Sequence, residues 1–170
     1  MNYKTMLAKV LGEKELMEMN VQTIKDDESL FYKLVDKNFL LIVDWSGEDR
    51  QGMLYNFFNN RLQSMLGVQL VVSEDEVYQK YNQEIEEPKR GDFIPFALSY
   101  FDKQLEKLGA RVVLLDLEND TYTYWWLIKK DAKKLKVYKS RFLEVINLEQ
   151  KQGRVVISIT CPNCKRFCML

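Results

Sequence analysis

The stretch Val112-Val113-Leu114-Leu115-Asp116-Leu117, with Glu118-Asn119-Asp120 and then Thr121-Tyr122-Thr123-Tyr124-Trp125-Trp126-Leu127-Ile128 behind it, decides the fold. The first run is apolar and β-branched, and the second mixes threonine with aromatic residues. Both compositions suit a pleated, half-buried surface. The three residues between them carry turn chemistry, so the stretch predicts a β-hairpin. Alternation puts Tyr122, Tyr124, Trp126 and Ile128 on one face of the second strand and Thr121, Thr123, Trp125 and Leu127 on the other. Adjacent tryptophans cannot share a face. Whichever face meets helices is core, and the other needs a second cover or a partner, which makes Trp125 and Trp126 candidate protein-contact residues.

Upstream of the hairpin, Ile94, Ala97, Phe101, Leu105 and Leu108 form the apolar stripe of a helix. Asp92 is placed to cap it, Pro95 is tolerated in its first turn, and Gly109 ends it. An earlier unit has the same grammar. Residues 50–66 predict a helix with Leu54, Phe58, Leu62 and Met65 inward, Gly67 as a left-handed cap, and Val68 to Val72 as a strand. The continuous apolar run Phe39 to Val43 predicts a strand covered on both faces. Residues 28–36 predict a helix capped by Asp26 or Asp27, and residues 3–20 carry helix formers interrupted by Gly12. Downstream, a short lysine-rich helix is expected from Asp131 to about Tyr138, then strands over Phe142–Ile146 and Val155–Ile159. The expected fold is α+β: one domain over residues 1–160, with a mixed sheet of five or six strands and four or five helices packed on it. A cysteine-containing tail, 161–170, follows.

Composition narrows the chemistry. The chain has 170 residues, 46% hydrophobic and 29% charged, a globular mix large enough to fold without disulfides or metal. Its 25 basic and 25 acidic residues cancel, which argues against a nucleic-acid binder driven by net charge. Histidine is absent, which removes Ser-His-Asp and Cys-His catalysis and histidine-ligated zinc. With seven glycines, neither the dinucleotide-binding G-x-G-x-x-G nor the phosphate-binding G-x-x-x-x-G-K-[ST] occurs. The first residues hold no apolar core of the roughly 7 to 15 residues a signal peptide needs. The longest clean apolar run, Phe39 to Val43, is far short of the roughly 20 residues that span a bilayer. A cytoplasmic protein without membrane contact is expected.

The zero net charge conceals a division. Residues 129–170 hold 11 Lys/Arg and 3 Asp/Glu, a net of +8, which leaves 14 against 22, a net of −8, upstream. Lys129, Lys130, Lys133, Lys134, Lys136, Lys139 and Arg141 alternate with Tyr138 and Phe142, a pattern that suits phosphates and bases or, equally, a solvated helix face. On the acidic side, Glu74, Asp75 and Glu76, with Glu84, Glu86 and Glu87 beyond them, suit either a basic protein partner or an exposed helix and loop. Asp44 and Asp116 end or interrupt predicted strands. Brought together, with Asp49 or Asp120, they would bind a divalent cation for hydrolysis; apart, they are turn chemistry. In the tail, Cys161, Cys164 and Cys168 supply three thiolates where a closed zinc site takes four ligands. Zinc there would need a carboxylate or a second chain, and would make the tail a dimerisation device. A redox C-x-x-C is the other use, although too few residues follow Cys164 to build a thioredoxin-like domain.

The apolar strand ending in Asp44-Trp45, the helix after it, and Leu108-Gly109-x-x-Val112-Val113-Leu114-Leu115-Asp116 with Asp120-x-Tyr122 resemble a family of uncharacterised bacterial α/β domains of unknown function. The likeness covers roughly residues 28–140 and rests on pattern rather than a catalytic signature; the cysteine tail has no counterpart in it. It implies an immunity-protein-like or similar interaction role and brings no site residues. The resulting expectation is a non-enzymatic protein-binding module that needs no cofactor. A metal-dependent hydrolase built on Asp44 and Asp116 and a zinc-linked homodimer are the alternatives.

Overall fold

The computed structural model describes residues 3–44, 46–116, 122–129, 139, 144–147, 158–160 and 167–169. The N-terminal helical stretch is divided at Gly12 into α1 (Tyr3–Leu7) and α2 (Glu13–Glu18). Gly12 has φ −71°, so backbone freedom is not what selects glycine; a Cβ there would lie 2.3 Å from the carbonyl oxygen of Ser64. The break is where this segment presses against the backbone of a later helix. A 3-10 turn, Val21–Thr23, leads to α3 (Asp27–Asp36). Asp26 caps α3 by accepting from the Ser29 N–H at 2.8 Å, while the Ser29 hydroxyl accepts from the Asp26 N–H at 3.1 Å. Asn38, at φ 55°, turns the chain out of α3, and the Phe39 N–H closes the end on the Leu34 carbonyl at 2.8 Å.

Strand β1 (Leu41–Asp44), helices α4 (Met53–Leu66), α5 (Glu74–Glu84) and α6 (Phe93–Lys107), and strands β2 (Ala110–Asp116) and β3 (Tyr122–Lys129) follow. Gly67 and Gly109 end α4 and α6 region with φ 70° and 85°, the left-handed conformation that favours glycine. Asp92 stands at the start of α6, but its carboxylate turns back to accept from the Lys89 N–H at 3.0 Å instead of capping the helix. Strands β4 (Glu144–Asn147), β5 (Ser158–Thr160) and β6 (Phe167–Met169) complete the described elements.

The hairpin read from the sequence is the centre of the sheet. The strand order is β1-β3-β2-β4 and each pairing is antiparallel, with Val113 opposite Trp126, and with Trp125 opposite both Leu114 and Leu41. Among the described residues this sheet has four strands, all antiparallel, so the expectation of a mixed sheet of five or six is corrected. The expected last strand pairs locally instead: β5 joins β6 in a separate two-stranded ribbon that spans the expected boundary at residue 160. Six α-helices are described, against the four or five expected. The segment Val68–Val72 is not a strand. Its Leu70 N–H donates to the Asn59 side chain of α4 at 2.9 Å, and Val71 is 89% exposed. Both edges of the hairpin are already occupied, by β1 and β4.

Two hydrophobic clusters lie on opposite faces of the sheet, as the alternation along β2 requires. Ala110, Val112 and Leu114 pack with Leu41 and Val43 of β1 and with α4 and α6 residues such as Phe58, Leu62, Phe101 and Leu105. Val113 and Leu115 pack with Val145 of β4 and with Leu7, Leu30 and Leu34 of α1 and α3. Each fully buried side chain of this size contributes roughly 1.5–3 kcal/mol. The N-terminal helices thus cover the second face of the sheet at β2 and β4. Strand β1 is an edge, not a strand covered on both faces: Ile42 is 36% exposed between buried Leu41 and Val43. No helix among the described residues is long and apolar enough to cross a membrane.

Candidate functional site

The acidic surface starts at α5. Glu74, Asp75 and Glu76 occupy its first turn, where negative charge is favoured by the free N–H groups of the helix start. Two of the three also face neighbouring elements. Glu76 accepts from the Tyr100 hydroxyl of α6 at 2.6 Å. Glu74 lies over Gly52, whose φ of 78° and lack of a Cβ make room for the carboxylate; a Cβ at Gly52 would sit 2.3 Å from Glu74 Oε1. Next to this contact, the Tyr78 hydroxyl of α5 donates to Glu48 and accepts from the Gly52 N–H at 2.6 Å. The other Glu48 oxygen accepts from the Leu54 N–H at 2.6 Å and so caps α4 from outside. Tyr78 stacks on Phe93 with ring centroids 5.0 Å apart.

Burial, followed by the hydrogen bond to a carboxylate, pushes the Tyr78 and Tyr100 phenols well above the usual tyrosine range. Asp75 is free of these joints and exposed, as are Glu84, Glu86 and Glu87 at the far end of the helix and beyond it. Lys80, Lys89 and Arg90 are exposed within the same segment, and Val68 and Val71 precede it as exposed apolar side chains.

The strand-end carboxylates are differently placed. Asp44 accepts from the Ser46 N–H at 2.7 Å in a local turn, and that hydrogen bond holds its carboxyl below the usual range. In the backbone register, Asp44 is opposite Tyr122 on β3, and Asp116 is opposite Glu144 on β4. Strands β1 and β2 flank β3 on either side, so the two positions are two strand spacings apart, about 10 Å. Among the described residues, no three Asp, Glu or Cys side chains gather as a metal site. Cys161 and Cys164 lie outside the described residues, and Cys168 is the register partner of Ile159 across the β5–β6 ribbon. Trp125 and Trp126 fall, by register, in rows belonging to the first and second core cluster respectively. Of the basic segment, Lys129 ends β3 and exposed Lys139 pairs with Glu144 at 2.8 Å; residues 130–138 and Arg141 lie outside the described residues.

Two charged residues passed over in the sequence are central to the architecture. Arg61 of α4 is only 4% exposed; its guanidinium pairs with Glu15 of α2, donates to the Val10 carbonyl at 2.6 Å and lies 4.9 Å from the centre of the Phe39 ring. Asp102 of α6, also buried, accepts from the Val112 N–H at 2.7 Å and grips Arg111 through Nε and a terminal nitrogen at 2.8–3.1 Å. A legible signal existed for both. Arg61 is three residues after Phe58 and four before Met65, and Asp102 is four after Leu98 and three before Leu105, so each interrupts an apolar stripe.

The chain has the architecture of a three-layered α+β domain in which helices cover both faces of a four-stranded antiparallel sheet. Residues 7–142 match the model of a family described as a domain of unknown function (DUF6630), and the chain belongs to that family. The match begins in α1 and ends ahead of the cysteine tail. Neither the curated proteins nor the solved structures contain a match to the chain.

Proposed function

We propose that this chain is a non-enzymatic protein-binding module of the immunity or inhibitor type, which docks a basic protein partner on the exposed carboxylates of α5 and of the segment after it. The observation that carries the reading is the division of labour among its carboxylates. Glu48 and Glu76 are committed to holding α4, α5 and α6 together, whereas Asp75 and Glu84 on α5, and Glu86 and Glu87 just after it, are exposed to solvent. Exposed charges on a rigid support raise association rates with an oppositely charged partner and lose that advantage in salt. Val71, exposed shortly before α5, offers an apolar contact.

The test is native mass spectrometry of the tagged chain from its own host, at low and high salt, beside the variant Asp75→Lys/Glu84→Lys/Glu86→Lys/Glu87→Lys. The reading expects one basic protein that dissociates as salt rises and is missing from the variant, with the variant's circular dichroism unchanged. A partner retained equally by both forms would overturn the acidic docking surface. Two copies of the chain released by a chelator would move the interaction to the cysteine tail.

A further inference from the structure

We draw no further inference here: the strongest candidate, the open hollow of about 650 Å³ between α1, α2 and the 3-10 turn, lined by Lys4, Glu13, Leu16, Met17 and Val21, offers one charge of each sign beside an exposed methionine, and nothing in the structure shows what covers it.

Discussion

Arg61 of α4 and Glu15 of α2, 46 residues apart in the chain, form an ion pair that fastens the N-terminal helices to the helix layer on the other side of the sheet. The same guanidinium reaches the Val10 carbonyl and the Phe39 ring, so three separate segments converge on one side chain. Burial lowers the Arg61 pKa and Glu15 opposes that shift.

Replacing only Arg61 leaves Glu15 without its cation in a poorly solvated position. Arg61→Met is expected to cost about 3–5 kcal/mol, and the double variant Arg61→Met/Glu15→Met less than Arg61→Met alone, because no stranded charge remains. Urea unfolding of the three proteins checks this. A double variant less stable than Arg61→Met would refute the assignment.

Gly12 meets backbone, and backbone cannot rotate away. Gly12→Ala is expected to destabilise by about 1–3 kcal/mol, whereas Gly47→Ala, with nothing within 4 Å of its new Cβ, should stay within about 0.5 kcal/mol. Thermal unfolding separates the two. Equal midpoints would mean that the α1–α2 junction does not approach Ser64 as closely as described.

Asp102 supplies the acceptor for the Val112 N–H at the start of β2. Asp102→Ala strands that N–H and removes the closer carboxylate of Arg111, which keeps Glu106 at 3.5 Å, for an expected loss of about 2–3 kcal/mol. The informative readout is hydrogen exchange at the Val112 amide, which should accelerate beyond the change seen at Val145 on β4. Uniform acceleration across the sheet would reduce Asp102 to a general contributor.

Tyr3, Tyr78 and Tyr100 each donate to a carboxylate, and burial is the larger cause of their raised pKa, with Tyr3 pushed up to about 12. A folded pKa above the unfolded value of about 10 means that the neutral phenol favours the native state. Their contribution is therefore complete below about pH 10 and is lost as pH rises through the folded pKa values. Between pH 9 and 11.5 the wild-type melting temperature should fall more steeply than that of Tyr3→Phe/Tyr78→Phe/Tyr100→Phe. Parallel slopes would contradict the raised pKa values of the three phenols.

What the sequence alone determined is what depends on neighbours within about one helical turn or one hairpin. The stripe Leu54, Phe58, Leu62 and Met65, the Asp26 cap, the left-handed Gly67 and Gly109 and the pairing of β2 with β3 were all legible, because periodicity, capping and tight turns are local. The acidic turn of α5 was legible as charge; that Glu76 is tied to Tyr100 while Asp75 projects into solvent was not. Only the tertiary structure decided that the hairpin is the middle of a four-stranded antiparallel sheet, that Val68–Val72 lies against α4, and that β5 pairs with β6. Strand pairing joins segments far apart in the chain, and an apolar run carries no label for its partner. Arg61 and Asp102 show the same limit: a charge on an apolar stripe is visible in the sequence, but the groups that make its burial tolerable, Glu15 for one and Arg111 with the Val112 N–H for the other, become its neighbours only when the layers close.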